Sequence, residues 1–405
     1  MGCITSKRSK EDIYKIVTDT AKDIQSNASS EIDKPLSKAS SPSQSPSPNY
    51  NNALNMNNMA TASSHGSLQS VDKASKNGSS IWNFRGRKNR NNTDESEYIQ
   101  VDPLYVIVPY FNYCGFKRRL ELFMQFYDRI KDNPRIRIVI CEAAENGKSF
   151  ELPNNLPNVF LHIHIYTKYQ LWIKENLINI AARRLPTHWK YIAWLDSDIQ
   201  FVDNDWAENI IQRFEKYDVV QLFSTIVYLG PHNQALKTDK SFGYMYRKSG
   251  KQYTQTYRYG FWHPGFAWAC TKEAYYAMDG LIDYSILGSG DHHMALGLIT
   301  KVECSHPKNI HPNYRKLLKE FEKRVRNLKL GYIDGTILHY WHGDLKLRRY
   351  KERWQILTDH QYDPLKDVER DPVGLYQLTE TGKELEADIR DYFAGRLEDD
   401  TRIMT

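Results

Sequence analysis

Two carboxylates one residue apart, Asp196 and Asp198, follow directly on the apolar run Tyr191-Ile192-Ala193-Trp194-Leu195. An apolar strand that ends in a pair of acids needs a cation beside it, because burying such charge alone costs several kcal/mol. Hard oxygen ligands of this kind suit Mg²⁺ or Mn²⁺, which bridge protein carboxylates to substrate phosphates. An isolated Asp-x-Asp is also a common helix cap or solvated turn; its place at the end of a buried strand favours the metal.

The elements that must position this pair are legible in the same pattern. Leu104 to Val108, Ile136 to Cys141, Val159 to Ile165, Tyr191 to Leu195 and Val219 to Phe223 are apolar runs of the kind that form strands covered on both faces. Between them, Leu120, Phe123, Met124, Tyr127 and Ile130, then Leu171, Leu177, Ile178, Ala181 and Leu185, recur at helical spacing. The alternation predicts an α/β domain with a mostly parallel sheet flanked by helices. Ligands of such sheets bind beyond the carboxyl ends of the strands, where Asp196 and Asp198 stand.

At these residues the sequence resembles the glycosyltransferases of the GT-A fold, the nucleotide-diphospho-sugar transferases, over about Leu104 to Leu357. The segment Trp189 to Asp198 looks like their metal-binding strand, Val106-Ile107-Val108-Pro109-Tyr110 like their first strand, and Cys141-Glu142 like the end of the second. The resemblance implies a Rossmann-like GT-A domain that moves a hexosyl group from a UDP- or GDP-sugar, with Pro109, Tyr110, Glu142 and Asp196 at the donor. It implies Mn²⁺ or Mg²⁺ held by Asp196, Asp198 and a late histidine. In Leu338-His339-Tyr340-Trp341-His342-Gly343 we prefer His342 to His339, since Gly343 would let the backbone approach a diphosphate and Arg348, Arg349 and Lys351 follow. An inverting transfer also needs a base for the acceptor hydroxyl. Asp291, in Gly288-Ser289-Gly290-Asp291-His292-His293, resembles that acid, with Gly290 beside it; it could equally cap the helix it opens. Trp262 and His263 are candidate sugar contacts. His292 and His293 point about 100° apart on a helix and are not expected to chelate one ion.

Two other classes compete. A sugar-nucleotide pyrophosphorylase would carry a long Gly-rich basic loop after its first strand, where this chain has Pro109-Tyr110-Phe111-Asn112-Tyr113. A lipid-anchored scaffold with an inactive transferase-like domain is the non-enzymatic alternative.

The lipid expectation comes from the amino terminus. Met1-Gly2-Cys3-Ile4-Thr5-Ser6 fits N-myristoylation of Gly2, with Cys3 as a palmitoylation neighbour. One myristoyl chain binds membranes only marginally, and Cys3 with Lys7, Arg8 and Lys10 would supply the second signal. Residues 1–26 are thus expected to target a membrane. The Ser- and Asn-rich 27–97 reads as disordered linker, with an aromatic and basic cluster from Trp82 to Arg90 near its end. The transferase domain is expected over 98–370, and 371–405 as a charged, partly helical extension. In 405 residues there are 55 basic and 49 acidic side chains, too even a balance to point to nucleic acid. Five scattered cysteines do not build a disulfide scaffold. No run approaches the roughly 18 apolar residues of a spanning helix, so the chain is expected on the cytosolic face, peripherally anchored.

Overall fold

The structure is a computed structural model and describes residues 102–248, 253 and 262–404. Gly2, Cys3, the basic residues after them, the 27–97 linker and the cluster at 82–90 lie outside the described residues.

The chain opens with β1 (Leu104–Phe111), α1 (Lys117–Ile130), β2 (Ile136–Glu145), β3 (Val159–Thr167), α2 (Lys174–Ala182), β4 (Tyr191–Leu195), β5 (Ile199–Phe201) and α3 (Trp206–Arg213). It continues through β6 (Val219–Gln221), β7 (Thr225–Leu229), β8 (Ala235–Lys240), α4 (Phe242–Lys248), β9 (Ala267–Thr271), α5 (Lys272–Met278), α6 (Gly290–Leu298) and α7 (Pro312–Val325). The last elements are β10 (Leu330–Tyr332), β11 (Thr336–His339), α8 (Glu352–Asp359), β12 (Val368–Arg370), β13 (Tyr376–Leu378) and α9 (Glu386–Ala394).

Seven strands form the main sheet in the order β10-β6-β9-β4-β1-β2-β3. The β1–β2, β2–β3, β1–β4 and β6–β10 pairs are parallel, and β9 runs antiparallel between β4 and β6. This is the expected α/β architecture with two added strands, β9 and β10. Ala-Trp-Ala-Cys-Thr of β9 has no apolar alternation to reveal it, because both of its faces are covered. A second sheet, β5-β11-β7-β8, stands beside the first.

Alternation along β1 divides the core. Tyr105, Ile107 and Phe111 pack with residues of α2, α6 and α7, whereas Leu104, Val106, Val108 and Tyr110 pack with α1 and α3. Each strand therefore has a face toward α2 and a face toward α1. The sequence beyond residue 370 joins the first of these cores: Leu385, Ile389, Tyr392 and Phe393 are buried in it, and the Phe393 ring stands 5.2 Å from that of Tyr113. No helix among the described residues is long and apolar enough to cross a membrane.

Candidate functional site

A cavity of about 390 Å³ opens at the carboxyl end of the main sheet. Pro109 and Phe111 of β1 form one wall, and Asp196, Ser197 and Asp198, just after β4, lie along its floor. The first turn of α2 contributes Lys174 and Glu175, the turn into α6 contributes Ser289 and Asp291, and the end of β11 brings His339 with His342 beyond it. Seven cationic side chains line the cavity against five acids, so an anionic ligand is favoured.

The two aspartates have different partners. Asp196 Oδ1 lies 2.5 Å from Lys174 Nζ, and burial pushes the Asp196 carboxyl up to about 6, partly offset by that ammonium. Asp198 faces histidines instead: its Oδ2 is 2.8 Å from His342 Nε2 and 3.7 Å from His339 Nε2. Burial alone would raise its pKa; the two imidazoles, with Arg348, hold it well below the usual carboxylate range. Burial lowers His339 to about 3, so at neutral pH an anionic carboxylate meets a neutral imidazole, the forms that bind metal.

Behind His342 stands Glu398, fully buried, with Oε2 3.3 Å from His342 Nδ1. Its Oε1 pairs with Arg396 Nε at 2.6 Å and Arg119 Nη1 at 3.2 Å. Although burial opposes it, Arg119 and Arg396 hold the Glu398 carboxyl well below its usual range. The satisfied arrangement has Nδ1–H donating to Glu398, which leaves the Nε2 lone pair facing Asp198, with Arg348 Nη2 2.7 Å from it. A cation beside Nε2 and Asp198 Oδ2, which stand 2.8 Å apart, suits that arrangement, and the Arg348 guanidinium already lies against Nε2.

The donor set fits a divalent ion. One atom each of Asp198, His339 and His342 lie within 4.8 Å of one another. Among the described residues, the buried Asp198 Oδ1 and His339 Nδ1 have no hydrogen-bond partner. The fold thus brings both histidines to Asp198, while Asp196 is engaged by Lys174.

Of the other expected residues, Pro109, His263 and Asp291 line the cavity. The His263 ring stacks on Phe266 at 4.3 Å, and its Nδ1 accepts from the Gly265 N–H. Asp291 accepts the His292 N–H through Oδ1, and its Oδ2 sits 2.9 Å from where a side chain on Gly265 would begin, so only a glycine there leaves it room. Gly290 packs against Glu175. Trp262 is buried among Phe242 and Tyr253, with ring centroids 5.3 and 5.2 Å away, outside the cavity lining. Tyr110 and Glu142 share the α1 face of the sheet, away from the cavity: Tyr110 donates to Glu151, and Glu142 accepts the N–H groups of Glu151 and Leu152. His293 is a core histidine bonded to Ser305 and Tyr314.

Gly343 serves a purpose other than the one its position suggests. At φ +81°, a Cβ there would meet Leu397 O at 2.9 Å and Arg396 O at 3.0 Å. It admits the C-terminal backbone rather than a phosphate. Sequence reasoning also misses Lys174, Glu175, Arg353, Arg396 and Glu398. Lys174-Glu175-Asn176 left a signal, three polar residues in a helix buried throughout; Arg396 and Glu398 left none.

No family model matches the chain, and no curated protein does. Solved structures with a similar chain path exist at low identity. A mannosyltransferase from Pyrobaculum calidifontis, solved with GDP-Man and Mn²⁺, is 12% identical with a TM-score of 0.35, over 73% of this chain and 70% of that one. Drosophila β1,4-galactosyltransferase 7, solved with manganese, UDP-Gal and xylobiose, is 10% identical with a TM-score of 0.29, over 57% of this chain and 65% of its own, just under two thirds. The 4-diphosphocytidyl-2C-methyl-D-erythritol synthase of Anaerococcus prevotii is 13% identical with a TM-score of 0.27, over 58% of this chain and 89% of its own. Likeness at this level assigns neither family nor substrate.

Proposed function

We propose that this chain is a metal-dependent glycosyltransferase of the GT-A kind, moving a sugar from a nucleoside diphosphate to a hydroxyl acceptor. Asp198 carries the reading: a partly buried carboxylate at the end of a central strand, with one buried, unpartnered oxygen and two imidazoles converging on the other. Asp198, His339 and His342 would hold the ion, and two nitrogens in the set favour Mn²⁺ over Mg²⁺. The chemistry a bound ion supplies is neutralisation of the charge that builds on the departing diphosphate.

The chain's own groups do the rest. Arg348 and Arg353, with Lys237 across the cavity, offer cationic contacts to phosphate oxygens. Lys174 keeps Asp196 oriented for a donor hydroxyl or a bound water. Glu398 acts through His342, holding the ring from its Nδ1 side so that Nε2 would be free to serve as a ligand. The anomeric carbon to phosphate oxygen bond breaks with its electron pair leaving on the diphosphate. The acceptor oxygen bonds to that carbon from the opposite side and gives its proton to the Asp291 carboxylate, which makes the transfer inverting. Myristoylation of Gly2 and palmitoylation of Cys3 would hold the enzyme at the cytosolic face of a membrane, where its acceptor is a glycan, a lipid or a protein.

The test is a panel of UDP- and GDP-sugars incubated with the full chain and Mn²⁺, scored for nucleoside diphosphate release. Asp198→Ala is expected to lower release on the order of 10³-fold or more, each factor of ten being about 1.36 kcal/mol of barrier, with an unchanged circular dichroism spectrum. Pyrophosphate as product would favour a nucleotidyltransferase. Failure to bind any donor would favour the inactive scaffold.

A further inference from the structure

On the α1 face of the main sheet, away from the cavity, a second group of metal-ligating side chains converges. β2 and β3 are paired with Glu142 opposite His164 and Ile140 opposite His162. Alternation along β3 puts His162 and His164 on one face of the strand, and Glu142 stands on that same face of β2. Glu142 Oε2 is 3.1 Å from His162 Nε2 and 3.6 Å from His164 Nε2. A tetrahedral ion with bonds near 2.0–2.1 Å needs ligand separations of about 3.3 Å, which these two distances bracket.

The carboxylate is held ready. Glu142 Oε1 accepts the backbone N–H groups of Glu151 (2.6 Å) and Leu152 (3.1 Å), so Oε2 is turned toward the two rings. Glu142 is only 1% exposed and the His162 side chain 10%, whereas the His164 side chain is 31% exposed. β3 is the last strand of the sheet, so an ion can reach the group from solvent. The Phe150 ring lies over His164 at 4.3 Å and shields it from one side.

We propose that Glu142, His162 and His164 form a Zn²⁺-class site that ties the edge strand β3 to β2 and to the connection carrying Glu151. Two imidazoles and one carboxylate select Zn²⁺ and its neighbours over Mg²⁺. Three protein ligands leave the fourth position to solvent on the exposed His164 side; the ligands sit on the sheet face opposite the cavity, and a bound ion stabilises the folded chain by mass action. The site is independent of the glycosyl-transfer reading.

Full-length protein stripped with chelator and titrated with Co²⁺ tests it, with visible d–d absorption and bound equivalents as readouts. Wild type is expected to bind two equivalents. Asp198→Ala and the double variant His162→Gln/His164→Gln should each retain one, and Zn²⁺ should displace both. In the Asp198→Ala protein, Zn²⁺ should raise the melting temperature, and adding Glu142→Ala should abolish that rise. If the double variant, folded by circular dichroism, binds as many equivalents as wild type, the site does not exist. The same holds if Asp198→Ala binds none. If Asp198→Ala binds as many equivalents as wild type while the double variant loses one, the β2–β3 site stands and the ion site of the transfer reading falls.

Discussion

Glu398 and Glu175 are two fully desolvated carboxyls with opposite fates. Glu398 is kept charged by Arg119 and Arg396 and touches the cavity through these two and through His342, all three of which line it. Glu398→Gln preserves the shape and removes the charge that holds the Nδ1 proton. Mn²⁺ affinity, followed by electron paramagnetic resonance, should fall about 10–100-fold while far-UV circular dichroism is unchanged. Glu175 has no arginine, and burial pushes it from 4.5 up to about 8, the nearby Lys174 only partly offsetting this. Its folded pKa is raised, so the folded chain binds the proton more tightly than the unfolded chain does. Its contribution to stability is present below pH 4.5 and is lost as pH rises toward about 8. Glu175→Gln should therefore gain on wild type in thermal melts as pH climbs from about 5 to about 9, by up to a few kcal/mol, since each tenfold difference in proton affinity between folded and unfolded chain is worth about 1.36 kcal/mol. A difference that does not vary with pH would show that Glu175 is charged throughout.

At the scale of elements, the decisive contact is between the stretch after β11 and the stretch after α9. Gly343 accepts the backbone of Arg396 and Leu397 against it, Trp341 Nε1 donates to Asp400 O at 2.7 Å, and the Met404 N–H donates to Asp344 at 2.8 Å. These contacts deliver Arg396 and Glu398 to the cavity. Gly343→Ala places a Cβ in a left-handed conformation and against two carbonyl oxygens, a cost of at least about 1–2 kcal/mol. Denaturant melts should show that loss, and hydrogen exchange should show faster amide exchange after residue 395 with weaker Mn²⁺ binding. Strand alternation explains a different outcome at this scale. Tyr110 and Glu142 lie on the right strands, but Tyr110 is one position off Pro109 and Phe111, which line the cavity, and Glu142 pairs with Tyr110, so both take the opposite face.

For the whole molecule, the main sheet separates two groups of ligating side chains, one at the cavity and one at the β2–β3 edge. On the proposed acylation, Gly2→Ala should move the full chain from the pellet to the supernatant in vesicle co-sedimentation, with activity on soluble donor retained, because the substitution removes the myristoyl acceptor. Retention on vesicles would point to the basic residues alone.

Local information suffices for much of this protein. The apolar runs specify strands, the helical spacing specifies what covers them, and the acids after β4 must lie at the carboxyl edge of the sheet, because chain direction and burial leave nowhere else. His339 and His342 were legible as alternatives three residues apart. That both turn toward Asp198, that Lys174 takes Asp196, and that a glutamate 56 residues beyond His342 stands behind its ring were decided only when distant segments packed together. Side-chain identity and spacing encode which face of an element is buried; they carry no record of which remote carboxylate or guanidinium will share that face.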